Sequence, residues 1–138
     1  MNILRFMIPK SLSVYIDFDS TVRQGTEKMR FHRYVAIPIL DGEGRFVGTL
    51  RNDDVLNYFL SNKQLSRSDL ERTPVMAVAD TATKPLLHSA SFAELFDAVR
   101  EHNFVSIVDD RGCFIGIILR REVMNYLWGK YQKGLEAK

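Results

Sequence analysis

The chain has 138 residues with 46% hydrophobic and 26% charged side chains, the balance of a folded domain with a real core. Its 19 basic and 17 acidic residues leave a net charge of +2, which excludes a broad electrostatic footprint for nucleic acid, though not a local basic patch. No stretch approaches the roughly 20 apolar residues that span a bilayer, and the single cysteine, Cys113, excludes an intramolecular disulfide, so a reducing, cytoplasmic setting is expected.

The first segment, Met1–Pro9, is apolar but short and carries no cleavage pattern, so it is not expected to be a leader. Val14–Phe18 alternates and is rich in β-branched and aromatic residues, which predicts a strand. Thr21 and Gln24 have capping-box spacing and predict a helix to about His32. A short apolar strand over Val35–Leu40, a polar turn at Gly44, a strand over Phe46–Leu50 and a helix from Asp53 to about Leu60 follow. In the connection, Ser68 and Glu71 suggest another capping box, opening a short helix that Pro74 ends. Val75–Val78 is expected to re-enter the fold opposite Phe6–Ile8. Ser91 and Glu94 repeat the capping box, and Phe92, Leu95, Phe96 and Val99 make an apolar stripe at helical spacing. A strand over Phe104–Val108, a turn at Gly112, a strand over Phe114–Leu119 and a helix from Arg121 to about Tyr131 complete the chain.

Two of these stretches are copies. Residues 41–58 return as 109–126, at an offset of 68 without a gap. Asp41, Gly44, Phe46, Gly48, Val55, Asn57 and Tyr58 match identically, and Asp54 matches Glu122 in kind. Each copy reads strand, helix, strand, strand, helix. Two copies are too few for a solenoid and predict a body with internal two-fold symmetry. The expected division is 1–62, a connection over 63–74, and 75–138.

With those residues in view, each copy resembles a cystathionine β-synthase (CBS) domain. The match lies in Ala36–Asp41, Gly44–Gly48 and the helix opening at Asp54, and again in Val105–Asp109, Gly112–Gly116 and Glu122. The resemblance implies an α/β (α+β) module of two CBS repeats packed with pseudo-two-fold symmetry. It implies a regulatory role, with clefts between the repeats that take adenine nucleotides: AMP, ADP, ATP, S-adenosylmethionine or cyclic di-AMP. It further implies pairing into a homodimer and docking on a target protein.

The family pattern sets a Ser or Thr three positions after the strand glycine, and six positions after it an Asp that accepts both ribose hydroxyls. Asp54 and Glu122 keep the acid, whereas Arg51 and Leu119 replace the hydroxyl. Arg51 could hold a phosphate through its fork of donors. The other reading of the acids is structural, because a helix dipole favours acids in its first turn. Arg120 and Arg121 oppose that rule, so they become candidates for phosphate, with a solvated pair beside Glu122 as the alternative. By position, Tyr34, Val35, Ala36, Ile37 and Pro38 fit an adenine wall in the first copy, and Phe104, Val105 and Ser106 in the second. For Ile37 and Val105 core packing is the default reading. Val14 and Pro85 start the strands that close the same clefts, with Lys84 and Arg33 as weaker basic candidates at the rims.

His32, His88 and His102 lack metal-ligand spacing, so no metal is expected. Cys113 reads as an inert thiol, and Gly42–Gly48 lacks the lysine of a phosphate loop. No nucleophile–base pair or carboxylate dyad appears, so no activity and no required cofactor are expected. Tyr58, Phe59, Tyr126, Trp128 and Tyr131 on the final helices suggest core or a dimer interface rather than a nucleic-acid or membrane surface. A module without ligand, acting in dimerisation and docking alone, is the alternative that Arg51 and Leu119 leave open.

Overall fold

The computed structural model describes residues 1–61 and 66–136. The start of the expected connection and the two final residues lie outside them. In chain order the elements are β1 (Ile8–Pro9), β2 (Ile16–Asp17), α1 (Val22–His32), β3 (Ala36–Leu40), β4 (Phe46–Arg51), α2 (Asn52–Ser61), α3 (Arg67–Arg72), β5 (Leu86–Leu87), α4 (Phe92–Glu101), β6 (Phe104–Val108), β7 (Phe114–Leu119) and α5 (Arg120–Glu136). Single 3₁₀ turns cover Ile3–Phe6, Lys10–Leu12 and Val75–Ala77. The fold is mixed α/β, with two sheets ordered β2-β3-β4 and β1-β7-β6-β5.

The chain divides into two compact units, Val14–Lys84 and Met1–Ser13 with Pro85–Lys138. This division by contact differs from the division by repeat at 62 and 75. Val75–Val78 and Phe6–Ile8 fall in different units. Val75 and Val78 belong to the core of the Val14–Lys84 unit, whereas Ile3, Leu4, Phe6 and Met7 pack with the core built on the second copy. Each lead-in segment thus joins the unit of the other copy.

The two units repeat one another closely. In the first, β3 pairs antiparallel with β4 and parallel with β2. In the other, β6 pairs antiparallel with β7 and parallel with β5. Both hairpins shift register at the same place, between Ile39 and Leu40 and between Ile107 and Val108. Gly44 and Gly112 take φ of 82° and 80°, the left-handed region that glycine enters without strain. The matching aspartates build those turns: Asp41 Oδ1 accepts the amides of Glu43 and Arg45, and Asp109 Oδ1 those of Arg111 and Cys113, each at 2.9 Å.

The strand glycines have an equally local cause. A Cβ on Gly48 would lie 3.1 Å from the carbonyl oxygen of Asp80, and one on Gly116 would collide with that of Ile8. These carbonyls belong to the lead-in segments, which pair at Thr49↔Asp80 and at Ile8↔Ile117.

Element boundaries depart from expectation in several places, most at β2, α3 and α5. The strand predicted over Val14–Phe18 shortens to Ile16–Asp17, which pair with Ile39 and Leu40; Phe18 N–H closes the ladder on the Leu40 carbonyl at 2.8 Å, and Ser20 N–H then turns back to the Asp17 carbonyl. The cap of α3 is Ser66, not Ser68: its Oγ accepts the Asp69 amide at 3.2 Å and meets the Asp69 carboxylate at 2.6 Å. Ser66 and Asp69 thus make a side-chain cap two residues earlier, in which the Asp69 carboxylate takes the Ser66 hydroxyl. Helix α5 continues past Tyr131 to Glu136. Thr21 and Gln24 do form their reciprocal box, at 3.2 and 2.9 Å, and Ser91 caps α4 through the Glu94 amide at 3.1 Å.

Candidate functional site

Each unit places its candidate acid, and the residue three before it, where a hairpin runs directly into a helix. In the Val14–Lys84 unit, Ala36 pairs with Arg51 and Pro38 with Thr49 across β3 and β4. The Asn52 amide then donates to the Val35 carbonyl at 3.0 Å, fixing the start of α2 beside the start of β3. In the other unit, Phe104 pairs with Leu119 and Ser106 with Ile117. There the Arg120 amide donates to the Asn103 carbonyl at 2.7 Å, the same bond 68 residues on.

Strand alternation then sorts the side chains. Ile37, Ile39 and Leu50 enter the core of their unit, as do Val105, Ile107 and Ile118 of theirs. For Ile37 and Val105 the core reading therefore applies. Ala36, Pro38, Thr49 and Arg51 share the opposite face of the first hairpin, and Phe104, Ser106, Ile117 and Leu119 that of the second. Asp54 and Glu122 stand half-buried in the first turns of α2 and α5. Tyr34 and Val35 precede β3 and are exposed, and Tyr34 stacks on His32 with ring centroids 6.0 Å apart.

The basic candidates separate. Arg120 does not point its guanidinium into open space: Nε donates to the Val99 carbonyl at 2.6 Å and Nη2 approaches that of Arg100 at 3.5 Å. Its charge lies at the C-terminus of α4, where the helix dipole favours a cation. That resolves the apparent conflict of an arginine at the start of α5 without a ligand. Arg121 is exposed. Lys84 is exposed and donates to its own loop at the Thr81 carbonyl, 3.4 Å away. Arg33 caps α1 in the left-handed region, with φ 61°. Val14 is half-buried against the core of its unit, and Pro85 is half-buried just before β5.

Arg51 has a partner that the sequence reading missed. Its Nε donates to Asp80 Oδ2 at 3.2 Å. Asp80 Oδ1 also accepts the amides of Ala82 and Thr83 at 2.9 and 3.1 Å, and Oδ2 the Thr83 hydroxyl at 2.6 Å. Burial alone would raise the Asp80 carboxyl pKa, but the Thr83 hydroxyl and amide, Arg51 and the Ala82 amide outweigh it and hold the pKa near 2. The available signal was Asp80-Thr81-Ala82-Thr83, an acid followed by small residues that suit an Asx turn.

The CBS domain family profile matches residues 6–61 and again 68–129. The chain belongs to the CBS domain family. No curated protein matches it. Among solved structures, this CBS protein is similar to a hypothetical conserved protein of Geobacillus kaustophilus, at 24% identity and TM-score 0.86, with 94% of this chain and 98% of that one covered. It is similar to a CBS domain-containing protein of unknown function from Bacillus anthracis, at 23% identity and TM-score 0.86, with 94% of each chain covered. It is also similar to the CbpB protein of Listeria monocytogenes, solved in complex with c-di-AMP, at 20% identity and TM-score 0.85, covering 96% and 98%. At these identities the likeness concerns the fold.

Among the described residues of the CBS protein, no helix is long and apolar enough to cross a membrane. No group of three or more His, Cys, Asp or Glu among them is placed to hold a metal ion. A groove of about 390 Å³ between α1 and α3 is lined by Arg23, Thr26, Glu27, Arg30, Arg67 and Leu70, and contains none of the candidate residues.

Proposed function

We propose that this CBS-domain protein is a cytoplasmic sensor of adenine nucleotides that passes its state to a target protein and turns over nothing itself. The observation that carries the reading is the doubled acid. Asp54 and Glu122 occupy the same half-buried position at a strand-to-helix junction in both units. A carboxylate there offers two oxygens to a ribose diol. Arg51 and Arg121 are the basic side chains that remain for phosphate, and Tyr34, Val35 and Phe104 are the apolar ones that remain for a base. The c-di-AMP complex of the Listeria relative supports a nucleotide as ligand. AMP, ADP, ATP, S-adenosylmethionine and cyclic di-AMP are the ligands to compare.

The protein acts as a homodimer in this reading. Met124, Leu127, Trp128, Tyr131 and Leu135 recur at helical spacing along α5, and all are exposed. Leu56 and Leu60 on α2 are exposed as well. A symmetric pair buries such stripes.

A ligand-free docking module is the second reading. It is favoured by one unit in particular, where Leu119 offers no polar group and Arg120 is committed to α4. A thermal-shift panel of these five adenosine ligands decides between the two, since a ligand of the native state raises the melting temperature. A rise with at least one nucleotide supports the sensor. No rise with any, at millimolar ligand, leaves the docking module.

A further inference from the structure

The two units differ at one place where their backbones do not. Thr49 pairs with Asp80, and its counterpart Ile117 pairs with Ile8. Asp80 and Ile8 therefore occupy the same position, as do Arg51 and Leu119. One unit sets an ion pair where the other sets two aliphatic side chains. Both members change together, so the difference is a property of the pair rather than of either residue.

The pair is not an ordinary surface ion pair. Both side chains are largely covered, at 21% and 17% exposure. Asp80 is held from four directions, three of them within its own loop. Its backbone is clamped to β4 by bonds of 2.8 and 3.0 Å to Thr49. The carboxylate is therefore a fixed point. It takes Arg51 by Nε alone, although arginine usually meets a carboxylate through two parallel bonds. Asp80 thus anchors the guanidinium at Nε and leaves the Nη1–Nη2 edge out of the ion pair, so that edge of the planar fork can meet a second anion. Arg51 is the last residue of β4, three positions before Asp54.

We infer that Asp80 is a positioning residue that aims Arg51 at a phosphate, which makes the Val14–Lys84 unit the phosphate-selective half of the protein. The inference rests on the nucleotide-binding reading above and goes beyond it by making the two units unequal. The unit with Leu119 and Ile8 has no such held arginine, only the exposed Arg121, and discriminates less between a nucleoside and its phosphate. A ligand reaching Arg51 carries a phosphate mono- or diester, and adenosine satisfies only the acid.

Calorimetry of the full chain with adenosine and with AMP tests this, using Arg51→Met, Arg51→Lys, Asp80→Asn and the double variant Arg51→Met, Asp80→Asn. Losing charge-assisted bonds should weaken AMP by about tenfold or more in Arg51→Met. Adenosine should stay within about twofold, the change expected where no contact is lost. Arg51→Lys should not restore AMP binding, because an ammonium lacks the fork. Asp80→Asn keeps the shape but loosens the aim, and should weaken AMP by about three- to tenfold, while the double variant should be no weaker than Arg51→Met alone. Removing a nearby negative charge by itself would act the other way and tighten AMP, so the sign is diagnostic. Tighter or unchanged AMP in Asp80→Asn overturns the positioning role, and equal losses for adenosine and AMP in Arg51→Met overturn phosphate reading. If Asp80→Asn fails to fold, the two Arg51 variants still decide the phosphate reading, and Thr83→Val, which frees one bond to Asp80, replaces it with the same expected direction. A wild-type chain that binds neither probe nor cyclic di-AMP fails the nucleotide reading itself, and the inference with it.

Discussion

Arg120 Nε lies 2.6 Å from the Val99 carbonyl oxygen, so an arginine at the start of one helix closes the end of another. The contact links α5 to α4 within one unit and satisfies a carbonyl that the helix cannot. Arg120→Ala is therefore expected to cost about 1–2 kcal/mol of stability, as for loss of a charged hydrogen bond with a favourable dipole contact. Urea unfolding reads the loss. Nucleotide affinity should change less in Arg120→Ala than in Arg121→Ala, and the reverse order would return Arg120 to the ligand site.

Gly116→Ala is expected to be the more damaging of the two strand-glycine substitutions. Its Cβ would meet the Ile8 carbonyl and the Met7 side chain, while that of Gly48 would have a contact of 3.1 Å with Asp80 O. Overpacking of this kind costs about 1–3 kcal/mol, and Gly48→Ala should fall at or below the lower end. Paired urea melts of the two variants check the order.

Asp80 gives stability a specific pH dependence. Its carboxyl pKa is lowered from 3.8 in the unfolded chain to about 2 in the folded one. A lowered acid contributes stability above the unfolded value and loses it as pH falls through the folded one. The contribution is about 2 kcal/mol near neutral pH by linkage, and it should disappear between about pH 4 and pH 2. The stability gap between wild type and Asp80→Asn, followed by denaturant titration at each pH, should close over that window. A gap that persists at pH 2 would assign the effect to shape rather than charge.

For the acids, Asp54→Asn and Glu122→Gln should weaken adenosine and AMP alike, by about 1.5–3 kcal/mol at whichever unit binds. A loss confined to AMP would mean that the acids do not take the ribose. Calorimetry with both ligands separates the outcomes.

Trp128→Glu places a charge in the middle of the exposed stripe on α5. Light scattering is expected to give twice the 15.9 kDa chain mass for the wild type and the single mass for the variant. A wild-type monomer at micromolar concentration would refute the dimer.

Much of the architecture was legible because it is local and written twice. Asp41 and Asp109 bond amides two and four residues away, Gly44 and Gly112 turn within a few residues, and Thr21 and Gln24 cap their own helix. Short-range bonds leave short-range patterns, and a 68-residue self-match confirms them against each other. The acids Asp54 and Glu122 stood out in the same way. Tertiary structure alone decided the rest. Whether Ser66 or Ser68 capped α3 depended on which of two nearby serines met the first turn of the helix. Where β2 stopped depended on how far β3 could pair. The lead-in segments joined the opposite copies because their carbonyls pack on Gly48 and Gly116 across long stretches of chain. Arg120 and Arg51 look alike in the sequence, each beside an acid at a strand-to-helix junction. One turns back to the α4 carbonyls and the other to Asp80, because a long cation goes to the acceptor that folding brings within reach, and that acceptor lies 21 residues away in one case and 29 in the other.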